Sequence, residues 1–265
     1  MILAKRTCGE TDFTKASMAH IRHLRNAPIT EALIDLRVIL PKGFEPSRLL
    51  EVKGSLMADY PAVDERKGTE GFVKFAAGQP ISAQMRDLGL QGIWLKSSDG
   101  NNIGQFRVDG FTFNRLKPYT SWDEILPEAM RLWQEYVRVV SPETVTRIAL
   151  RYINHLTLPP TGADLDDLLT TGPRLPEGVP QTLSSFFTRI VVQDTSKGLS
   201  ANVAQALEAG VRTDAPTLLF DIDAYRIGQF PPEREVLVRH LSNLRSFKNA
   251  IFFGSLTDKL IGVYE

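Results

Sequence analysis

The chain has almost no cysteine, no excess of charge of either sign and no long apolar run. Cys8 is the single cysteine among 265 residues, which excludes an internal disulfide and favours a reducing compartment. No apolar run approaches the ~18 residues that a membrane helix needs. The first residues also lack the apolar core of a secretory signal. We therefore expect a cytoplasmic protein that has no membrane partner.

The charge balance and the absence of familiar motifs narrow the function classes. The 31 Lys and Arg residues equal the 31 Asp and Glu residues, so a nucleic-acid partner is possible but has no support from the net charge. The sequence has no G-x-x-x-x-G-K-[ST] loop, no G-x-G-x-x-G helix opening, no G-x-S-x-G elbow and no H-E-x-x-H. These absences lower the expectation of an enzyme, and no cofactor is predicted.

A six-residue pattern occurs twice, 114 positions apart. Residues 106–111 read FRVDGF and residues 220–225 read FDIDAY, so both copies have aromatic, β-branched, Asp, small and aromatic residues in the same order. Each copy is followed by a proline-containing turn and then by a long amphipathic pattern. Repetition of this kind predicts an internal duplication.

Hydrophobic periodicity predicts the elements around this pattern. Residues 29–40 alternate as in a strand, Ser47 is expected to cap a helix that runs to Tyr60, and residues 103–116 are predicted as one strand. Ser121 and Glu124 form a capping-box pattern before a second helix. Further strands are predicted at residues 71–77, 81–86, 92–96, 147–158, 185–192, 198–207 and 217–227, with a last long helix ending near residue 253.

Together these elements predict an α+β fold. Internally duplicated β-α-β-β-β-α units would form a mostly antiparallel sheet with helices packed on one face. Residues 26–142 and 143–265 are interpreted as the two units, packed as one pseudo-twofold body, after a polar N-terminal extension over residues 1–25. Met18 is interpreted as the natural start, which would make residues 1–17 an upstream extension.

Three segments carry a resemblance to a known family. They are residues 26–32 (NAPITEA), the pattern Tyr119-x-x-Trp122-x-Glu124, and residues 147–154 (RIALRYIN). In these segments the chain resembles a sporadically distributed family of conserved hypothetical bacterial proteins, from about residue 24 to the end. The resemblance implies a bacterial source and a single intact unit, and it implies no activity and no site residue.

Two predicted strands place polar side chains on one face of the sheet. In each strand the polar residues alternate with the apolar ones. The polar residues of the two strands would therefore be neighbours if the two units meet through their first strands. The predicted binding residues are Arg147, Arg151, His155, Glu31, Asp35 and Arg37. A guanidinium group matches phosphate and carboxylate, so this face could bind an anion or a partner chain. Cross-strand ion pairing, such as Asp35 with Arg151, is the purely structural alternative.

The metal candidates are weaker. Asp221 and Asp223 share one strand face and could hold Mg²⁺, but no third acidic residue joins them, and an Asp at a strand end also bonds turn backbone. His20 and His23 could bind a transition metal with Cys8 nearby, yet structural zinc needs four ligands. No metal site is predicted from either set.

The leading functional prediction is a non-enzymatic binding or adaptor protein whose partner is another protein on the polar sheet face. A metal-dependent enzyme acting on a nucleotide or nucleic-acid phosphate is the first alternative, with Arg147 and Arg151 as phosphate clamps. Direct nucleic-acid binding across the sheet is the second. An adaptor predicts an exposed apolar patch larger than the few hundred Å² usual for the surface of a monomer, whereas an enzyme predicts a closed pocket with converging polar groups and shifted pKa values. A connection over residues 159–183 that covered the face would remove the groove.

Overall fold

The sequence folds into a large antiparallel sheet that carries helices. The computed structural model describes residues 2–3, 22–74, 82–159, 164–208 and 215–265. Within these ranges the fold is α+β, with a nine-stranded antiparallel sheet and four α-helices. None of the described helices is long and apolar enough to span a membrane.

The elements follow one another in two runs of strands that each end in a long helix. The first run contains β1 (Ile2–Leu3), β2 (Ile29–Ile39), a 3-10 helix (Pro46–Val52), α1 (Lys53–Leu56), β3 (Ala62–Lys74), β4 (Ser82–Lys96), β5 (Asn102–Arg107), β6 (Gly110–Leu116) and α2 (Trp122–Val140). The second contains β7 (Thr144–Thr157), a 3-10 turn (Leu165–Asp167), β8 (Thr182–Leu183), β9 (Phe186–Asp194), β10 (Leu199–Glu208), β11 (Thr217–Phe230), α3 (Arg234–Ser255), α4 (Asp258–Ile261) and a last 3-10 turn (Gly262–Tyr264).

The sheet order places the first long strand of each run at the centre. The order is β3-β4-β5-β6-β2-β7-β11-β10-β9, and β1 pairs separately with β8. β2 and β7 are antiparallel neighbours, with Ile34 opposite Leu150 and Ala32 opposite Tyr152. This confirms the predicted antiparallel sheet and brings the two predicted polar strands side by side.

One face of the sheet forms the core with the helices. Ala32, Ile34 and Leu36 are buried at alternate positions of β2, because successive residues of a strand point to opposite faces. α2 contacts β5 and β6, and α3 contacts β7, β10 and β11. Trp133 and Tyr136 of α2 stack with ring centroids 5.2 Å apart. The helices therefore leave the opposite sheet face for the polar side chains.

Several predicted elements differ from the observed ones. Residues 103–116 form two strands, β5 and β6, because the chain reverses at Val108 and Asp109. The strand predicted at residues 92–96 and the described parts of those predicted at 71–77 and 81–86 belong to the longer pair β3 and β4, which form one antiparallel ladder. Residues 75–77 and 81 lie outside the described residues. The predicted cap at Ser47 is wrong, since the helical segment begins at Pro46 after Glu45 and is mostly 3-10. Ser121 caps α2 as predicted, accepting a hydrogen bond from the Glu124 backbone N–H.

The two copies of the six-residue pattern occupy different structural positions. Residues 106–111 span the turn between β5 and β6, whereas residues 220–225 lie in the middle of β11. The structure thus does not confirm an internal duplication, and the unit boundaries at 26–142 and 143–265 stay predictions. Most of the predicted extension, with Met18, Cys8 and His20, lies outside the described residues.

Candidate functional site

The polar face of the sheet is defined by the side chains that point away from the helices. In β2 these are Glu31, Asp35 and Arg37, which alternate with the buried apolar residues. In β7 they are Arg147, Arg151 and His155, and the register places Arg37 directly opposite Arg147. All six predicted binding residues therefore lie on one face. An ion-pair network joins Asp35, Arg37 and Arg147. Arg151 pairs separately with Asp221, Glu31 accepts a hydrogen bond from Asn114, and His155 is exposed.

Arg147 is the centre of this network because it joins three strands. Its Nη1 donates to Asp35 Oδ2 of β2 at 3.0 Å, and its Nη2 donates to both carboxylate oxygens of Asp223 in β11, at 2.9 and 2.7 Å. The guanidinium group also lies 4.9 Å from the ring centroid of Tyr225. The side chains of Arg147, Asp35 and Asp223 are 25%, 16% and 22% exposed, so these ion pairs are partly shielded from water.

Arg107 of β5 is a second donor to the same carboxylate, and the sequence analysis missed it. Its Nη2 donates to Asp35 Oδ1 at 2.9 Å and its Nη1 to Thr112 Oγ1 at 2.7 Å, while the Thr112 hydroxyl donates to Asp35 at 2.7 Å. Burial opposes ionisation of Asp35, but the hydrogen bonds from Arg107 and Thr112 outweigh it and lower the pKa of Asp35. The signal that could have identified Arg107 was the chain reversal at residues 108–109, because this reversal places β6 beside β5.

Two arginines lie at the exposed edge of the network. Arg37 pairs with Asp35 and Asp109, and Arg151 donates to both oxygens of Asp221 at 2.8 and 2.6 Å. The side chains of Arg37 and Arg151 are 42% and 44% exposed. The predicted pair of Asp35 with Arg151 is wrong, because the register sets Arg151 opposite Leu33 and Asp223, away from Asp35.

The network surrounds a depression of about 400 Å³, and its charges are balanced. Arg37, Arg107, Arg147 and Arg151 each pair with at least one Asp. A phosphate or carboxylate would have to displace these partners. A metal ion at Asp221 and Asp223 would likewise have to displace Arg151 and Arg147, so the arrangement favours neither ligand.

Exposed apolar side chains lie beside the network on the same face. Phe187 and Val191 of β9 are 69% and 53% exposed, and Ile227 of β11 is 71% exposed. The ladder places Val191 level with Asp223, Phe187 level with His155 and Ile227 opposite Arg147, so all three lie on the polar face at separate positions along the strands. We call Phe187, Val191 and Ile227 the apolar fringe.

Residues 164–170 of the connection between β7 and β9 lie on the helical side of the sheet. Leu165, Leu168 and Leu169 are buried in the core, and Leu169 forms a backbone bridge with Leu256 after α3. The Thr170 N–H donates to the Ser255 carbonyl. Residues 164–170 therefore pack against the end of α3 and do not cover the polar face.

Fold and site together define an α+β protein with one helix-covered and one open, charge-balanced sheet face. The chain matches no protein-family model, no curated protein and no solved structure. The resemblance to conserved hypothetical bacterial proteins stays a prediction, and the functional argument rests on the geometry.

Proposed function

We propose that the chain is a non-enzymatic binding protein whose partner is another protein, docked on the polar face of the sheet. The observation that carries this proposal is the apolar fringe of Phe187, Val191 and Ile227 beside a charge-balanced network. Protein interfaces combine apolar side chains with a polar rim, and aromatic residues and arginine are enriched in them.

The dimensions of the face suit a protein partner. Neighbouring strands lie about 4.8 Å apart, so nine strands give a surface roughly 40 Å wide. A stable interface buries about 800 Å² on each partner. The exposed guanidinium groups of Arg37 and Arg151 can exchange their partners for carboxylates of a docked chain, whereas Arg147 stays tied to its strands.

Charge balance favours a protein over the two alternatives. Nucleic-acid backbone binding needs a surplus of positive charge, and Arg37, Arg107, Arg147 and Arg151 are matched by Asp35, Asp109, Asp221 and Asp223. A metal-dependent phosphate enzyme would need Asp221 and Asp223 free, and both carboxylates accept hydrogen bonds from arginine.

We extend the proposal to origin and compartment. The single cysteine supports a cytoplasmic location, and the resemblance noted above supports a bacterial source. Duplication of one β-α-β-β-β-α unit is supported by strand order, which runs β2, β6, β5, β4, β3 outward from the centre on one side and β7, β11, β10, β9 on the other, so the first run has one more strand.

Site-specific photo-cross-linking in the native cells tests the proposed face. A benzophenone amino acid is placed at Phe187 or at His155, and at Val263, which is 64% exposed and lies outside the sheet, as the matched control. We expect one discrete protein adduct from positions 187 and 155, resistant to nuclease, and none from position 263. Arg151→Glu should weaken the adduct at position 187, whereas Lys197→Glu, at a position that is 72% exposed, should not.

Three results would contradict the proposal. Adducts that nuclease removes would indicate nucleic acid, equal adducts at position 263 would indicate non-specific capture, and the absence of any adduct from both sheet positions would exclude this face.

A further inference from the structure

A second cavity lies on the helical side of the sheet, far from the polar face in the fold. Its volume is about 450 Å³, within the usual range for sites that bind small organic molecules. The first residues of α2, the middle of α3, β7 and residues 22–29 form its walls. Aromatic side chains provide much of the lining, among them Tyr119, Trp122, Tyr152 and Phe252.

Lys248 is the unusual side chain of this cavity. It is only 7% exposed, and its ammonium nitrogen lies 3.8 Å from the ring centroid of Tyr152. Among the residues that the structure describes, no carboxylate and no hydrogen-bond acceptor partners this nitrogen. Burial, with a contribution from Arg245, lowers the pKa of Lys248 to about 7. A buried ammonium group is normally paired, so the cavity presents donors that lack an acceptor.

Arg245 adds a second cation one turn earlier on α3. Its guanidinium group lies 5.5 Å from the ring centroid of Trp122, and within the described ranges it forms no ion pair. The 19-residue helix α2 begins at the cavity wall, and its N-terminus adds positive potential. The buried Lys248, the exposed Arg245 and the N-terminus of α2 thus face one aromatic-lined space.

The other charged and titratable groups at the cavity do not neutralise these cations. Arg22 is paired with Asp258 and Glu265. Asp123 is exposed and contributes to the raised pKa of Tyr119, whose hydroxyl lies 3.2 Å from that of Tyr152. His23 is exposed at the entrance. No carboxylate contributes to the pKa shift of Lys248.

We propose that this cavity binds a small organic anion, whose carboxylate or phosphate group accepts hydrogen bonds from Lys248 and Arg245. The aromatic or aliphatic body of the ligand packs against Trp122, Tyr152 and Phe252. An anion supplies the acceptors that Lys248 lacks, and charge-assisted hydrogen bonds are stronger than neutral ones. The site is independent of the protein-binding face, since it lies on the opposite side of the sheet.

Calorimetric titration of the full chain tests the proposal with benzoate, phenyl phosphate and octanoate as anionic probes. Benzyl alcohol and benzylammonium serve as neutral and cationic probes of similar size. We expect at least one anion to bind at micromolar to millimolar concentration at pH 6, and Lys248→Met to weaken it at least tenfold. Lys197→Met, at an exposed lysine, should leave it unchanged. The better of benzoate and phenyl phosphate tells which headgroup the site prefers.

The pH dependence distinguishes Lys248 from the other titratable groups. Binding needs the ammonium form, so anion affinity should fall as the pH rises above about 7, approaching tenfold per pH unit. His23→Gln should show the same fall, whereas Lys248→Met should show none. The proposal is overturned if no anionic probe binds, if benzyl alcohol binds as tightly as benzoate, or if Lys248→Met binds the anion as wild type does.

Discussion

At the scale of single residues, Lys248 is a charged side chain on the buried, otherwise apolar face of α3. Leu237, Leu241, Leu244 and Lys248 follow one another at helical spacing, and all four are buried. The period of the helix therefore predicts a buried lysine, and the neighbouring Phe247 is only partly buried. A buried ammonium group without a hydrogen-bond acceptor lowers the free energy of unfolding.

Replacing Lys248 with Met should stabilise the protein in a pH-dependent way. The pKa of Lys248 is about 7 in the folded state and 10.5 in the unfolded state. Below pH 7 Lys248 is protonated in both the folded and the unfolded state, so the full cost of burying its ammonium group is present. As the pH rises above 7 the folded state loses the proton first, so wild-type stability rises. We expect the free energy of unfolding of Lys248→Met to exceed that of wild type by a few kcal/mol at pH 6, as measured by urea unfolding.

The difference in the free energy of unfolding between Lys248→Met and wild type should shrink steadily from pH 7 to about pH 9. The measurements stop at pH 9 because Tyr60, Tyr136 and Tyr152 have raised pKa values in the folded state. At higher pH these tyrosines ionise first in the unfolded state, which lowers the stability of both proteins. Lys197→Met is the control and should show no such trend, since that lysine is 72% exposed. A constant gap over this pH range would show that Lys248 is charged in the folded state throughout.

At the scale of elements, the β5–β6 hairpin positions Arg107 and depends on one glycine. Val108 and Asp109 form the turn, and Gly110 follows with a φ of +151°. A Cβ atom at Gly110 would lie 2.1 Å from the Leu36 carbonyl oxygen of the neighbouring strand. The turn therefore fits only a residue without a side chain.

Gly110→Ala should destabilise the protein by about 2 kcal/mol or more, because backbone strain and a clash with a central strand act together. Gly43→Ala is the matched control: its φ is +77°, and no atom lies within 4 Å of the added Cβ. It should cost only about 1 kcal/mol, the strain of the left-handed backbone alone. Chemical unfolding measures both variants, and equal losses would show that β2 yields to the methyl group without cost.

At the scale of the whole molecule, the polar face is held together where the two runs of strands meet. β2 and β7 form that junction, and Arg147 joins both to β11 through Asp35 and Asp223. Arg151 lies next to it on the same strand face but makes a single, exposed pair with Asp221. Two arginines of the same predicted role thus have different surroundings.

Arg147→Ala and Arg151→Ala should therefore differ in their effect on stability. The first leaves Asp35 and Asp223 with fewer donors in a partly buried place and should cost about 1–3 kcal/mol. The second breaks one pair, between an arginine that is 44% exposed and an aspartate that is 18% exposed, and should cost less than the first, about 1 kcal/mol. Thermal and urea unfolding of the two variants measure the difference. Equal small losses would mean that the central ion pairs add nothing to the stability of the sheet.

Local pattern determined the class of the fold and the composition of the polar face. Alternation in β2 and β7 assigns Glu31, Asp35, Arg37, Arg147, Arg151 and His155 to one face, because side-chain direction in a strand depends only on position. The capping pattern at Ser121 located the start of α2 in the same way. These features are encoded within a few residues, so the sequence alone suffices for them.

Tertiary structure decided which of these residues meet and where a ligand can enter. Strand register pairs Arg147 with Asp35 and Arg151 with Asp221. The chain reversal between β5 and β6 places Arg107 within reach of Asp35. The cavity around Lys248 exists only because α2, α3 and β7 pack together. Such contacts join residues far apart in the chain, and their geometry depends on packing and register, which no short stretch of sequence encodes.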